Sequence, residues 1–279
     1  MRIVTLIENT ECEPNSVCSH ELKNEHGLSF YVETPHHKLL MDTGSTEAVW
    51  YNADMLGVDL TAVDTVVLSH GHYDHTGGVM SFAEKNSHGH IYVQRTARRE
   101  YVSVVEGKET YIGMDPAIAK LHQVQWLDGD YTIDEELSIF TGVTGRKFWP
   151  GGNRILLRKE KDQLVQDSFD HEQYLSVVSA GKRVLFSGCA HNGILNVLER
   201  YQDVYKTEPD LVLSGFHMMK KSRYTEKDRE IILETAKALK KTKAIYYTGH
   251  CTSIPGYQLM KEVMGDQLRY MHTGTEIFV

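Results

Sequence analysis

The chain has 279 residues, 41% hydrophobic and 24% charged, with a formal net charge of −8, the profile of an ordinary soluble globular protein. No uninterrupted apolar run approaches the roughly 18 residues that a membrane helix needs, so membrane residence is not expected. The acidic balance argues against a nucleic-acid partner, whose phosphates call for clustered Lys and Arg, and runs such as Lys159-Glu160-Lys161 or Lys240-Lys241 are too short or too mixed to supply them. Four cysteines, Cys12, Cys18, Cys189 and Cys251, are too scattered for a disulfide framework, and the first two lack Cys-x-x-Cys spacing. Reduced thiols in a cytoplasmic protein are the expectation. The apolar run within Met1 to Glu8 is too short for a signal-peptide core and reads as a first strand. The length suits one α/β domain over 1–279 with an elaboration around 88–152.

In chain order, a polar loop from Asn9 to Glu25 follows the first strand. Leu28 to Glu33 and Lys38 to Asp42 read as strands joined through Pro35-His36-His37, and Asp42-Thr43-Gly44-Ser45 punctuates their end. A helix is predicted over Thr46 to Leu56, a buried strand over Asp64 to Leu68 and a helix over Thr76 to Lys85. The middle stretch suggests a strand at Ile91 to Gln94, a helix from Thr96 to Val104, and strands near Val124 and Leu137. Strands then follow near Arg154 to Arg158, Tyr174 to Ser179 and Arg183 to Ser187, with a helix from Asn192 to Tyr201 and a strand from Leu211 to Ser214. A long helix is expected from Thr225 to Lys240: Thr225-x-x-Asp228 resembles a capping box, and Ile231, Ile232, Thr235, Ala236 and Leu239 form its apolar stripe. Ala244 to Thr248, a helix near Gln258 to Met264 and a strand from Thr275 to Val279 complete a layered α/β arrangement with mixed sheets.

The chemistry concentrates at Ser69-His70-Gly71-His72-Tyr73-Asp74-His75, where the predicted strand empties into a loop. His70, His72, Asp74 and His75 can all bind a cation through imidazole nitrogen or carboxylate oxygen. If the extended geometry persists, His70, His72 and Asp74 alternate onto one side. His191, His217 and His250 also fall just beyond predicted strand ends, where loops at one sheet edge can gather distant residues.

The Ser69 to His75 run resembles the metallo-β-lactamase superfamily, whose hallmark is His-x-His-x-Asp-His after a strand. Glu25-His26-Gly27-Leu28, Leu39 to Gly44, Gly188-Cys189-Ala190-His191-Asn192-Gly193-Ile194, Ser214-Gly215-Phe216-His217 and Gly249-His250-Cys251-Thr252 are similar to one branch of it. That branch includes an archaeal dihydropterin-phosphate synthase and bacterial metal-dependent hydrolases. The resemblance implies a four-layer αββα sandwich with a metal site at one edge of the two sheets.

It also implies that His70 and His72 bind a first metal and that Asp74 and His75 bind a second, with His250 at the late histidine position. His191 is assigned as the third ligand of the first metal, with His171 as fallback. Cys189 stands where a bridging aspartate is usual, either touching metal or packing as a buried apolar residue. Asp42 is read as orienting a ligand loop by hydrogen bonds. His217 and His26 are candidate substrate contacts.

One or two divalent ions are expected; zinc suits the nitrogen-rich set best, with manganese or iron also compatible. The implied activity is a metal-dependent hydrolase, or related lyase or synthase. It would use a metal-bound hydroxide, with Asp74 orienting it or taking its proton, on a small, phosphorylated or pterin-like metabolite. The competing reading is a non-catalytic metal-binding protein that senses or sequesters a small ligand.

Overall fold

The computed structural model describes residues 1–11, 21–220 and 223–279; Cys12 and Cys18 lie outside them. The first part of the chain runs β1 (Arg2–Ile7), β2 (Ser29–Glu33), β3 (Lys38–Met41), α1 (Ala48–Met55), β4 (Thr65–Val67), α2 (Tyr73–Thr76), α3 (Val79–Lys85) and β5 (His90–Gln94). The middle adds β6 (Tyr101–Val105), β7 (Lys108–Tyr111), β8 (Val124–Leu127), β9 (Tyr131–Thr132), β10 (Leu137–Phe140), β11 (Leu156–Glu160) and β12 (Gln163–Gln166). The remainder is β13 (Tyr174–Ser179), β14 (Lys182–Phe186), α4 (Ile194–Tyr205), β15 (Leu211–Leu213), α5 (Glu226–Leu239), β16 (Ile245–Thr248), α6 (Ile254–Met264), β17 (Leu268–Tyr270) and β18 (Glu276–Phe278).

These strands form two seven-stranded sheets, ordered β18-β1-β2-β3-β4-β5-β8 and β17-β16-β15-β14-β13-β10-β9, and a four-stranded sheet β12-β11-β6-β7. Neighbouring residues on the central strands serve different layers, as the two-residue period of a strand requires. Val66, Leu40 and Val4 point to the first sheet's outer face, packing with Val49 of α1 and Phe82 of α3. Val67, Leu39 and Ile3 point inward and meet Val177, Val184 and Phe186 of the second sheet. Leu185 and Val212 point outward again, against Val197 of α4, Ile232 of α5 and Met260 of α6. Three apolar interfaces therefore separate four layers in the order αββα. Strands buried on both faces explain the near-continuous apolar runs.

Three expectations about local structure change. The helix expected over Thr96 to Val104 is instead a 3-10 turn, Arg95–Arg98, followed by strand β6. Val102, Val104 and Val105 are β-branched, and β6 pairs with β11, about fifty residues away in sequence, through Leu157↔Val102. The helix expected over Thr76 to Lys85 is divided at Gly77-Gly78. A Cβ on Gly77 would lie 1.9 Å from the Ser45 carbonyl oxygen, and one on Gly78 2.4 Å from that of Thr43, so the glycines let the 43–46 loop press against the helix start. The helix expected near Gln258 begins earlier, at Ile254 with Pro255 in its first turn, where proline is preorganised for a helix start. The Thr225–Asp228 capping box forms as expected. The stretch 88–152 supplies strands to all three sheets.

Candidate metal centre

Strands β1, β3 and β4 of the first sheet run in one direction, as do β14, β15 and β16 of the second. Residues just beyond their C-terminal ends meet at one edge of the sandwich: Glu8 and Asn9, Asp42, His70 to His75, Cys189 and His191, His217, and His250 with Cys251. Several of these turns are tight. Asp42, Ala190, His217 and His250 all have positive φ, at 62, 50, 49 and 47°, a left-handed conformation that costs a non-glycine residue about 1–2 kcal/mol. Such strain tends to collect at functional sites.

His70, His72 and His191 converge, with one nitrogen of each within 4.8 Å of the others. The Nε2 atoms of all three are buried and have no hydrogen-bond partner among the described residues. An unpaired buried polar atom costs about 1–3 kcal/mol, so three pointing together call for a shared partner. Their orientation is set from behind. Ser69 Oγ donates to Asp42 Oδ2 at 2.7 Å and accepts from His70 Nδ1 at 2.8 Å. Asn153 Oδ1 accepts from His191 Nδ1 at 2.9 Å, while its amide donates to the His191 carbonyl at 2.7 Å. Phe169 stacks flat on the His191 ring, 4.5 Å away. Burial and the neighbouring imidazoles push the pKa values of His70 and His191 well down and that of His72 to about 3. All three are therefore neutral near pH 7 with a lone pair exposed to the common point, the form in which histidine binds a metal.

A second group lies beside it. His75 Nε2 is 3.3 Å from His250 Nε2 and 3.1 Å from Cys189 Sγ, and Asp74 Oδ2 is 3.2 Å from His250 Nε2 and 3.8 Å from His75 Nε2. The far side of His75 donates to Asp42 Oδ2 at 2.6 Å, and Asp42 Oδ1 accepts from the Ser69 amide at 2.6 Å. Asp42 thus ties the His75 ring to the Ser69 turn through both carboxylate oxygens. Asn9 links two rings: its Oδ1 accepts from His250 Nδ1 at 2.8 Å and its amide donates to His26 Nδ1 at 3.3 Å. Burial opposes charge on His75, but Asp42 and Asp74 overcome it and raise the pKa to about 9. Burial alone would raise the Asp74 carboxyl, yet His75, His250 and His26 hold it well below the usual carboxylate range. A proton on His75 balances two buried carboxylates here. A divalent cation among Asp74, His75 and His250 would balance them more fully, so the donor set fits a metal.

His26, whose side chain is 44% exposed, reaches Asp74 Oδ2 at 3.3 Å and marks the open side of the site. His217 lies at the other flank, its ring 4.1 Å from that of His191 and its Nδ1 buried without a partner among the described residues. His171 is also buried, but both nitrogens are engaged. Nδ1 accepts from the Gly71 amide at 3.0 Å and Nε2 pairs with Asp167 at 3.0 Å, which leaves the fallback residue no lone pair to offer.

Sequence reasoning missed the residues that hold the loops. Glu172, buried between β12 and β13, accepts from the backbone amides of His191 and Asn192 at 2.6 and 2.9 Å and from Tyr174 Oη at 2.8 Å. Glu8, buried after β1, accepts from the His250 amide and from Tyr270 Oη. Asn153 follows Gly151-Gly152, a pair that marks a turn in general but points to no partner. A lone acid at a strand end was the only trace of Glu8.

The metallo-beta-lactamase superfamily model matches residues 23–232 of this chain. The chain is 25% identical over 270 residues to 7,8-dihydropterin-6-methyl-4-(beta-D-ribofuranosyl)-aminobenzene-5'-phosphate synthase of Methanocaldococcus jannaschii, covering 90% of this chain and 89% of the relative. It is 26% identical over 202 residues to an uncharacterised protein of the same organism, covering 70% and 73% of the two chains. The solved structure of Tm1679, described as a metal-dependent hydrolase of the beta-lactamase superfamily, superposes with a TM-score of 0.81 at 24% identity, covering 100% of this chain and 99% of its own. With the αββα layering, the His70 to His75 run and a family match over most of its length, the chain belongs to the metallo-β-lactamase superfamily.

Proposed function

We propose that this protein is a metal-dependent hydrolase, or a related lyase or synthase, acting on a small metabolite. One cation position is formed by His70, His72 and His191, and a neighbouring one by Asp74, His75 and His250 with Cys189 alongside. The observation that carries the reading is the convergence of three buried, neutral imidazoles whose Nε2 atoms lack a partner among the described residues. A divalent cation held there acidifies water and withdraws electron density from a carbonyl or phosphoryl oxygen. Zinc suits the mixed imidazole, carboxylate and thiol donors, and manganese and iron are competitors decided by loading.

The chain's own groups divide the remaining work. Asp74, ionised and 3.3 Å from His26 Nε2, orients a water on the open side or accepts its proton. His26 and His217 lie on opposite flanks and are placed to donate to a substrate oxyanion. Asn153 keeps the His191 tautomer that leaves Nε2 free, and Asp42 and Asn9 fix the ring orientations of His75 and His250. The name of the M. jannaschii relative supports a phosphorylated or pterin-like substrate, and the formal net charge of −8 supports a small molecule over a polyanion.

Metal analysis of the purified protein with anomalous diffraction at the site tests the first half. Metal bound by His70, His72 and His191 is expected, and metal bound elsewhere would overturn the reading. His72→Ala is expected to abolish any ester, lactone or phosphodiester hydrolysis found for the parent, and unchanged turnover would place the chemistry elsewhere. A parent that binds metal and a metabolite tightly but turns over none of these substrates would favour sequestration over catalysis.

A further inference from the structure

Two buried thiols lie against the inner side of the second cation position, and the known pattern of ligands accounts for neither Cys251 nor the gap it fills. Cys189 follows β14 and Cys251 follows β16, with β15 between them. Strands two places apart are separated by about 10 Å, which would ordinarily keep their side chains apart. The residue after the middle strand is what closes the distance. A Cβ on Gly215 would sit 2.4 Å from Cys251 Sγ, 3.3 Å from the Gly188 carbonyl oxygen and 3.6 Å from Cys189 Cα. The space left by that missing side chain admits the Cys251 sulfur beneath Cys189. There Cys251 Sγ accepts from the His217 amide at 3.2 Å and approaches the Cys189 carbonyl at 3.6 Å. Cys189 Sγ, Cys251 Sγ and a His250 nitrogen all lie within 4.8 Å of one another, and all three residues are buried.

We propose that Cys189, Cys251 and His250 form a sulfur-rich corner of the second cation position, in which Cys251 is a metal ligand and the site selects a thiophilic divalent ion. This rests on the metal-centre reading above. Bond lengths of about 2.3 Å to sulfur and about 2.0–2.1 Å to nitrogen put donors on one tetrahedral ion about 3.3–3.8 Å apart. The observed cluster therefore closes around an ion with shifts below about 1 Å per donor. Each thiol releases its proton to solvent as its metal–sulfur bond forms, and the His217 amide stabilises the anionic sulfur that results. Thiolate donors favour zinc or cadmium over manganese or magnesium at this corner.

The test uses the full chain with Cys12→Ser and Cys18→Ser, so that only the two thiols in question remain. The metal-free protein is titrated with Cd2+ and the ultraviolet sulfur-to-cadmium charge-transfer band is recorded. Cys251→Ser is expected to lower that band to about half of the parent's, and the further change Cys189→Ser to remove it, while metal analysis still finds cadmium on the imidazole trio. A band unchanged in Cys251→Ser would overturn the inference and leave the metal centre standing. A parent that binds no cadmium would overturn both. Because Cys251→Ser lies in the core, 113Cd nuclear magnetic resonance of the protein with both thiols present provides a second reading. A resonance in the range of two sulfur donors supports the proposal, and resonances showing one sulfur or none refute it.

Discussion

Replacing Asn153 with Ala tests whether His191 is a ligand held in a defined tautomer. Asn153 is fully buried and makes two hydrogen bonds to one residue, accepting from His191 Nδ1 at 2.9 Å and donating to its carbonyl at 2.7 Å. Two neutral hydrogen bonds contribute about 1–3 kcal/mol net, and outer partners of metal-binding histidines are worth about 10- to 100-fold in metal affinity, or about 1.4–2.7 kcal/mol. Both routes give the same range. In the variant, the imidazole can carry its proton on Nε2, the atom that faces His70 and His72, and it then has no lone pair for the cation. Metal affinity measured by competition with a chromophoric chelator is expected to fall about 10- to 100-fold. Urea unfolding of the metal-free variant measures the loss that is merely structural. Asn153→Asp keeps the acceptor and loses the donor, and is expected to retain more affinity than the alanine variant. A folded Asn153→Ala protein with the parent's affinity would refute the assignment of His191.

Glu172→Gln turns an acceptor of the His191 and Asn192 amides and the Tyr174 hydroxyl into a group that presents a donor to donors; chemical unfolding should show a loss of about 1–3 kcal/mol, and an unchanged midpoint would show that this loop is held otherwise. Gly77→Ala places a methyl 1.9 Å from the Ser45 carbonyl oxygen and is expected to cost at least about 1–3 kcal/mol by overpacking, again read by urea unfolding, with wild-type stability arguing against the close approach. His37 pairs with Asp64 at 2.9 Å and Asp134 at 2.5 Å; burial opposes its charge, but these hydrogen bonds raise its pKa above the ordinary value. Its contribution is therefore fully present below the unfolded-state pKa of about 6.5 and is lost as pH rises through the higher folded value. His37→Gln should lose stability relative to the parent at pH 6 and little at pH 9, and a difference independent of pH would refute the ion pairs.

The layered α/β class, the helix Glu226–Leu239 with its cap and the run from His70 to His75 could be read locally, whereas the four-layer sandwich came through the family resemblance. Hydrophobic period, cap chemistry and ligand spacing all act within a few residues. His250 and His191 were legible only through their place after a strand and a family resemblance. What brings them together is the parallel direction of β14, β15 and β16, a non-local property. Where local signals competed with distant pairing, they misled: a helix was expected over Thr96 to Val104, and pairing in the third sheet made Tyr101 to Val104 part of a strand. The same limit hid Asn153, Glu172 and Glu8. Each is an ordinary polar residue whose role comes from a partner loop tens to hundreds of residues away.

By itself, then, the sequence determined that the chain carries a cluster of metal-ligating groups at a strand exit in a layered α/β fold, because donor type and strand period are local chemistry. Only the tertiary structure decided which distant nitrogens and sulfurs share a point with that cluster. It spent both nitrogens of His171 on Gly71 and Asp167 while leaving His191 Nε2 free, and it brought Cys251 beneath Cys189 through the gap at Gly215. Hydrogen-bond partners assign tautomers and a missing side chain admits a thiol, and neither can be read until the two sheets are packed.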